Sequence, residues 1–587
     1  MKRVSLIVAV LTFLLSLMAA CSRQPADLIL LNGEIYTMEE EQPWASAVVV
    51  TGNTITAVLQ EGADVLRYKG DLTRVIDLGG QFVLPGFIDA HVHFNRAGAL
   101  INDANLMTVA GDDGLRREIA RVVELLDEGE WVTGGLWGAY EQWALGAARS
   151  GEKKSRRWHP HRRVIDPFTT ANPCLLTSFD GELYLANTAA LRAAGLESDV
   201  LPGMEVGPKS IPTGLIYRES PALERLRAKV RKKSHARLLD ENRAALKRLA
   251  ASGIVEVHDI ARPDQTERFI ELQNTGELTC RVWLRPDLSR IGELQQLGIR
   301  MGMHPRTKEP DNWLRYGALK GYVDGIMGTH GALFFEPYDD QPENHGHYRR
   351  HTSDDSDFET GNMDKLYRLI KSGYEAGFVP NVHAIGTKGV SLLLDSYERL
   401  KDELEIDLYR FRVIHAQVIR AEDFPRFRTL KMVAEVNPYH ISDDMRWMEE
   451  RIGSERCRGA YAFKSLHDNG ATLSFGSDWP GTSAAEYHIH PKYLIHAAVN
   501  RTTVNGMPVG GWFPEQKISV HEALKAYTIN NAYAAVDENR RGSIKAGKLA
   551  DITVCDKNLI KIQPEKILTM EVKMTIVDGK IVYERLP

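Results

Sequence analysis

The chain has 587 residues and a formal net charge of −5, with 73 Lys and Arg against 78 Asp and Glu. Its 43% hydrophobic and 26% charged residues, with 48 Gly and 25 Pro, are close to globular averages and exclude collagen-like, coiled-coil and wholly disordered chains. Because the charge is nearly balanced and no long basic tract occurs, we expect no nucleic-acid partner.

The first 20 residues are typical of a secretory signal peptide. Met1–Arg3 is positively charged, and residues 4–20 form an almost unbroken apolar run that is short for a membrane span. The run ends in small residues before Cys21, and this ending resembles the bacterial lipobox, whose cysteine carries lipid in the mature protein. We therefore predict a lipid anchor on Cys21 at the periplasmic face of a bacterial membrane, and Ser22 favours the outer membrane. An ordinary secretory signal followed by a chance cysteine is the alternative.

Short β segments occur at both ends of the chain. Strand patterns with turn signals fill residues 27–83, and they return from residue 542 onward, where Asp578-Gly579 is typical of a hairpin turn. These two stretches predict one small β domain built from residues 21–83 and 541–587.

Between these ends, short apolar strands alternate with amphipathic helices such as 236–251 and 363–376, the pattern of a parallel sheet. Eight such strands with intervening helices are typical of an α/β fold of the (β/α)8 TIM-barrel kind, assigned to residues 84–540, with its active site at the C-terminal strand ends. Residues 95–233 are too long for one crossover and predict an insertion over the barrel mouth. The predicted strands are 84–90, 254–259, 281–285, 318–324, 378–383, 411–415, 432–437 and 472–477.

The sharpest motif is residues 85–93, which read Pro-Gly-Phe-Ile-Asp-Ala-His-Val-His. Because side chains alternate across a strand, His91 and His93 point the same way and can reach one metal ion. The block resembles the opening strand of the amidohydrolase superfamily. Further residues match that family at later strand ends and in the family's order: Lys320, His383, His415 and Asp478.

Several segments are similar to the amidohydrolase-3 branch, which includes N-substituted formamide deformylases. They are Asp324-Gly325, residues 383–386, 415–417 and 477–480. The resemblance implies a two-metal site, in which His91, His93 and Asp478 hold one divalent ion while His383 and His415 hold a second. It also implies that Lys320 bridges the two ions as a carbamate; a charged Lys320 beside a single metal is the alternative.

A divalent ion would supply the activation that amide hydrolysis needs, because it lowers the pKa of bound water from ~15.7 to ~7 and polarises the carbonyl group. Imidazole and carboxylate ligands favour zinc, with iron, manganese or cobalt as alternatives. We predict Asp478 as the general base that moves a proton from this water to the leaving nitrogen. A helix N-cap is the structural alternative for Asp478.

Three further residues are candidate substrate contacts. His258 lies at the end of the second predicted strand and His440 follows the seventh, on the face where such barrels bind substrates. Glu182 stands where the family often has a histidine after Asp-Gly.

The sequence therefore predicts a metal-dependent hydrolase that cleaves a non-peptide C–N bond of a small-molecule amide. A cyclic-amide hydrolase or a deaminase on the same scaffold is one alternative. A lipid-anchored binding protein with an inactive barrel is another. The cysteines other than Cys21 form no metal-ligand spacing, and we predict buried free thiols.

Overall fold

The computed structural model describes residues 25–138, 158–179, 181–349, 363–407, 409–481 and 487–585. The predicted signal peptide and Cys21 lie outside the described residues. Within the described part of the chain, none of the helices is both long and apolar enough to cross a membrane. Cys174, Cys280, Cys457 and Cys555 are buried free thiols, as predicted.

Strands from both ends of the chain pack as two sheets against each other. They share one apolar cluster, to which Leu30 and Val48 contribute from one sheet and Val83 and Val554 from the other. The four-stranded sheet has the order Thr54–Leu59, Ala47–Thr51, Leu28–Leu31 and Arg74–Asp77. The six-stranded sheet has the order Lys580–Glu584, Val572–Val577, Ile552–Cys555, Phe82–Pro85, Glu34–Tyr36 and Trp44–Ala45.

The predicted parallel strands are present, but they lie in two sheets and do not form one closed barrel. Single bridges join the sheets, between Asp287 and Lys320 and between Val92 and Trp479. The first parallel sheet contains, in order, Leu314–Tyr316, Arg281–Leu284, Ile254–Asp259 and Phe87–Val92. The second contains Leu319–Tyr322, Pro380–Ala384, Arg412–His415, Val433–Val436 and Thr472–Phe475.

The predicted strand 318–324 is present as Leu319–Tyr322, which pairs with the second parallel sheet. A short strand that we had not predicted, Leu314–Tyr316, precedes it and pairs with the first parallel sheet. Gly317 lies between them against the indole of Trp283, where an added Cβ would be 2.1 Å from the ring. The close approach of this bulky side chain coincides with the point where the chain changes its partner sheet.

The predicted insertion contains a six-stranded sheet of its own. Two apolar clusters accompany it, one around Trp137 and Leu176 and another around Leu191 and Ile216. The predicted domain limits remain predictions. The order of this sheet is Met204–Val206, Pro212–Tyr217, Leu183–Ala186, Leu175–Ser178, Gly134–Trp137 and Ala104–Asn105.

Helices cover the parallel sheets and connect their strands, and the helices predicted at 236–251 and 363–376 are confirmed within one or two residues. The described helices are Phe94–Asn102, Asp112–Val123, Thr188–Ala193, Pro221–Arg227, His235–Ala251, Pro263–Asn274, Ile291–Gln296, Asp364–Glu375, Thr387–Leu404, Phe424–Thr429, His440–Asp444, Met448–Cys457, Phe463–Asp468, Pro491–Asn500, Val520–Ala526 and Ile529–Ala534.

Candidate metal centre

The first and last parallel strands bring three predicted ligands together. The backbone N–H of Asp478 donates to the carbonyl oxygen of His91 at 2.8 Å. The backbone N–H of His93 donates to the carbonyl oxygen of Trp479, also at 2.8 Å. Asp89 strengthens this junction, because its carboxylate accepts from the N–H groups of His91 and Ser477, each at 3.0 Å. The loop that carries Asp478 is therefore held against the His-x-His segment.

Asp478 faces both histidines of that segment. Its Oδ1 lies 3.2 Å from His93 Nε2 and 3.6 Å from His91 Nε2, and a ligand atom from each of the three residues lies within 4.8 Å of the others. The His91 side chain is buried, whereas the His93 side chain is 34% exposed. A metal ion at this position would therefore be buried on one side and reachable by a small molecule on the other.

The remaining predicted histidines lie beside this group. His415, His440 and Asp478 form a second set of possible ligands within 4.8 Å, and His440 Nε2 is 3.6 Å from Asp478 Oδ2. The His383 ring centre lies 4.5 Å from that of His415, which in turn lies 5.1 Å from that of His91. The structure thus gathers the predicted ligands and adds His440, which we had predicted only as a substrate contact.

Polar groups behind the histidines fix their rings. Glu435 Oε1 lies 2.7 Å from His91 Nδ1, and Asn437 Oδ1 lies 2.7 Å from His415 Nδ1. Asn437 Nδ2 donates to the carbonyl oxygen of Gly476 at 3.0 Å, which assigns its Oδ1 to the histidine. Because these oxygens accept the Nδ1 protons, the Nε2 lone pairs of His91 and His415 are free for a metal.

His383 differs from His91 and His415, because its Nε2 atom, and not its Nδ1 atom, contacts fixed oxygen atoms. Its Nε2 lies 3.3 Å from the carbonyl oxygen of Gly325 and 3.4 Å from Asp324 Oδ1, which leaves Nδ1 available as a ligand. Asp324 is itself fixed, since its carboxylate accepts from the N–H groups of Ile385 and Gly386 at 3.0 and 2.9 Å.

The sequence analysis did not identify Glu435 and Asn437. They stand two residues apart at the end of the buried strand Val433–Val436, so their side chains share a face. The sequence did contain a signal for them, namely a carboxylate and an amide at alternate positions of an otherwise apolar strand. Because buried polar groups need partners, such side chains are expected to contact other polar groups of the site.

Comparisons with known proteins agree with this geometry. Residues 74–583 match the family model Amidohydro_3, described as the amidohydrolase family. The chain belongs to the amidohydrolase-3 family. This amidohydrolase is 31% identical to Protein LONG AFTER FAR-RED 3 of Arabidopsis thaliana over 578 residues, which cover 95% of this chain and 92% of that protein.

It is also 25% identical to the N-substituted formamide deformylase of Arthrobacter pascens over 577 residues, covering 96% of this chain and 99% of the relative. A solved structure of an uncharacterized metal-dependent hydrolase from Pyrococcus horikoshii has a similar fold, with a TM-score of 0.69 and 21% identity. That match covers 92% of this chain and 99% of the other. The family match supports a hydrolase, and the structural match shows a shared fold.

The charge state of the amidohydrolase's imidazoles suits metal binding. Burial is the main cause that lowers the pKa of His91 to about 3 and the pKa of His440 to about 4. Burial would raise the pKa of Asp478, but the hydrogen bond to His93 and the neighbouring histidines hold it well below its usual range. At neutral pH His91 and His440 are therefore neutral imidazoles and Asp478 is a carboxylate, the forms that coordinate divalent ions.

Lys320 is buried in the same region, with 1% of its surface exposed. Its Nζ has no hydrogen-bond partner among the described residues and lies 4.9 Å from the Tyr322 ring centre. Burial, followed by the positive charge of Arg285, lowers the pKa of Lys320 well below its usual range. A buried amine without a partner, next to imidazole and carboxylate ligands, fits a site that holds divalent metal.

Two predicted substrate contacts lie elsewhere. His258 is fully buried, with Nδ1 3.2 Å from Arg412 Nη1 and Nε2 3.4 Å from Glu256 Oε1. Glu182 is 58% exposed and forms an ion pair with Arg218 at 3.1 Å. The structure places neither residue in the ligand groups, and their contact with a substrate remains a prediction.

Proposed function

We propose that this amidohydrolase cleaves a non-peptide C–N bond of a small-molecule amide with a metal-activated water. The observation that carries the proposal is the convergence of His91, His93, His415 and Asp478 at the ends of the parallel strands, with the His93 side open to solvent. The similarity to a relative named N-substituted formamide deformylase supports N-formyl and N-acyl amides as the substrate class.

His91, His93 and Asp478 would hold one divalent ion, and His383 and His415 a second. The nitrogen and oxygen donors favour zinc, with iron, manganese or cobalt as alternatives. When bound, such ions lower the pKa of water from ~15.7 to ~7 and polarise the amide carbonyl.

The position of Asp478 supports a role for its carboxylate in proton transfer. Its carboxylate lies between His93 and His440, and its backbone is fixed to His91, so the oxygens stay at the centre of the cluster. We assign it as the general base, which accepts a proton from the attacking water and delivers that proton to the leaving nitrogen.

Lys320 would complete the site as a carbamate. Its neutral Nζ attacks the carbon of CO2 and loses a proton, which gives an anionic group with two oxygens in place of an amine. A buried, unpartnered amine supports this step, because an ammonium has no lone pair and would be repelled by metal ions.

We also propose that the enzyme acts at the periplasmic face of a bacterial outer membrane, attached through lipid on Cys21. The support is the sequence of residues 1–22 alone. In this setting its substrate would be a small molecule that has entered the periplasm.

The test is metal analysis and an activity screen of the purified mature protein. We expect about two divalent ions per chain and turnover of N-formyl or N-acyl amides. The His91→Ala/His93→Ala double variant should lose metal and activity with its circular dichroism unchanged. His235→Ala, which removes a 62% exposed histidine that pairs with Glu271, is the matched control.

Full activity in a metal-free preparation would contradict the proposal. The same screen includes ureas, hydantoins, lactones and aminated heterocycles. Preferential ring opening would indicate a cyclic-amide hydrolase, and ammonia release would indicate a deaminase.

A further inference from the structure

Glu435 is a fully buried carboxylate that contacts a metal-ligand histidine and two arginines at once. Its Oε1 lies 2.7 Å from His91 Nδ1. Arg285 Nη1 donates to Oε1 at 3.0 Å and to Oε2 at 2.9 Å, and Arg412 Nη1 donates to Oε2 at 2.7 Å. Both carboxylate oxygens are therefore occupied by donors.

The arginines are themselves held in place, so the carboxylate cannot turn freely. Arg412 Nη2 donates to the carbonyl oxygen of Ala534 at 2.7 Å, and Arg285 Nη2 donates to that of His258 at 3.4 Å. Both arginine side chains are fully buried. The Glu435 carboxylate is thus fixed by Arg412, from the adjacent strand Arg412–His415, and by Arg285, which follows the strand Arg281–Leu284 of the other parallel sheet.

This geometry dictates which nitrogen of His91 carries the proton. A carboxylate that receives guanidinium N–H groups on both oxygens has only acceptors to offer, so the contact at Nδ1 requires a proton on Nδ1. Nε2 then keeps its lone pair, and Nε2 is the atom that faces Asp478.

We propose that Glu435 is a positioning residue that sets the tautomer of His91 and thereby prepares the metal position formed by His91, His93 and Asp478. The inference rests on the proposed metal-dependent function. It adds that one ligand of this position depends on a residue 344 positions away in sequence.

Glu435→Gln is a sharp test because an amide has only one acceptor. If the amide oxygen faces His91, the NH2 group faces the N–H donors of Arg285 and Arg412, and this arrangement is disfavoured because buried donors then face donors. If the oxygen faces the arginines, the NH2 group donates to His91 Nδ1. That second arrangement leaves the proton of neutral His91 on Nε2, where it blocks metal binding.

The matched control is Asp551→Asn. Asp551 is also buried and pairs with an arginine, since Arg281 Nε and Nη2 each lie 2.9 Å from its oxygens. It lies next to the strand Ile552–Cys555, in the sheets formed by the chain ends, and it does not belong to the ligand groups. Both variants remove a buried charge partner, but only Glu435→Gln alters a histidine contact.

The first readout is zinc binding to metal-free protein, measured by competition with a chromophoric chelator. We expect Glu435→Gln to weaken one zinc position by at least ~10-fold while the other is retained, in line with the effect of losing an outer partner of a ligand. Asp551→Asn should lower thermal stability but keep wild-type zinc binding. Unchanged zinc binding in Glu435→Gln, or an equal loss in Asp551→Asn, would overturn the inference.

The second readout is the tautomer of His91 in metal-free wild-type protein, from ¹⁵N NMR of histidine-labelled samples assigned with His91→Asn. We expect the proton on Nδ1; a proton on Nε2 overturns the inference even if Glu435→Gln does not fold. Failure of the proposed function is a different result, namely wild-type protein that binds no zinc while its His91 still carries the proton on Nδ1.

Discussion

Asp478 lies in an unusual backbone conformation at the centre of the site. Its φ is +57°, in the left-handed region that aspartate tolerates better than most residues. The hydrogen bond from its N–H to His91 and the contacts of its carboxylate with His93 and His440 hold it there. Backbone strain of this kind persists where surrounding contacts over-determine it, which is common at active sites.

Replacement of Asp478 by Asn keeps the shape of the side chain and removes its basicity. We expect kcat to fall by at least ~10²-fold, the usual contribution of a general base. The measurement is kcat together with metal content, and Asp468→Asn, which changes an exposed carboxylate, is the control. Near-normal turnover in metal-replete Asp478→Asn would refute the assigned role.

Lys320→Ala tests the carbamate. We expect the variant to lose metal and activity, and a short carboxylic acid added to the buffer should partly restore both by supplying the missing oxygens. Lys371→Ala, which removes a partly exposed lysine paired with Glu403, is the control. An active, metal-loaded enzyme whose ¹³C NMR spectrum shows an unmodified Lys320 would indicate the single-metal alternative.

At the scale of elements, the parallel strands carry charged side chains where strands buried on both faces are usually apolar. Glu256, Arg285, Arg412 and Glu435 are all fully buried. Each has an oppositely charged partner, which is what makes their burial tolerable. The result is a layer of buried ion pairs that contacts His91 through Glu435.

Substitution of Gly317 tests whether close packing against Trp283 requires a glycine between the two parallel sheets. A Cβ at this position would lie 2.1 Å from the Trp283 ring, so we expect Gly317→Ala to lower the free energy of unfolding by ~1–3 kcal/mol, as overpacking does. Gly292→Ala is the control, because that helical glycine has no neighbour within 4 Å of its added Cβ. Chemical denaturation of both variants is the measurement, and equal stabilities would contradict the steric account.

At the scale of the whole molecule, the predicted lipid anchor on Cys21 would determine the compartment in which the enzyme works. Cys21→Ser should move the protein from the membrane fraction to the soluble periplasmic fraction, because a serine cannot receive the thioether-linked lipid. Cell fractionation and mass spectrometry of the mature N-terminus measure this. Cys174→Ser, which alters a buried thiol, is the control. A soluble wild-type protein that begins at another residue would contradict the lipoprotein prediction.

The sequence alone was sufficient for the family and for the alternation of strands and helices, and it singled out residues that lie together in the structure. These features depend on local spacing, since side-chain alternation places His91 and His93 on one face and positions His383, His415 and Asp478 at or just after strand ends. The family match over residues 74–583 confirms the resemblance that this spacing suggested.

The contacts between residues that are distant in sequence were determined only by the tertiary structure. The contact of Glu435 with His91, the burial of His258 among charged groups, and the break at Gly317 against Trp283 all join residues from different strands. His91 and His258 both end strands and look equivalent in sequence, yet one meets Asp478 and the other meets Arg412. The identity of the facing residue sets the chemistry of each histidine, and only the packing of distant strands determines which residue that is.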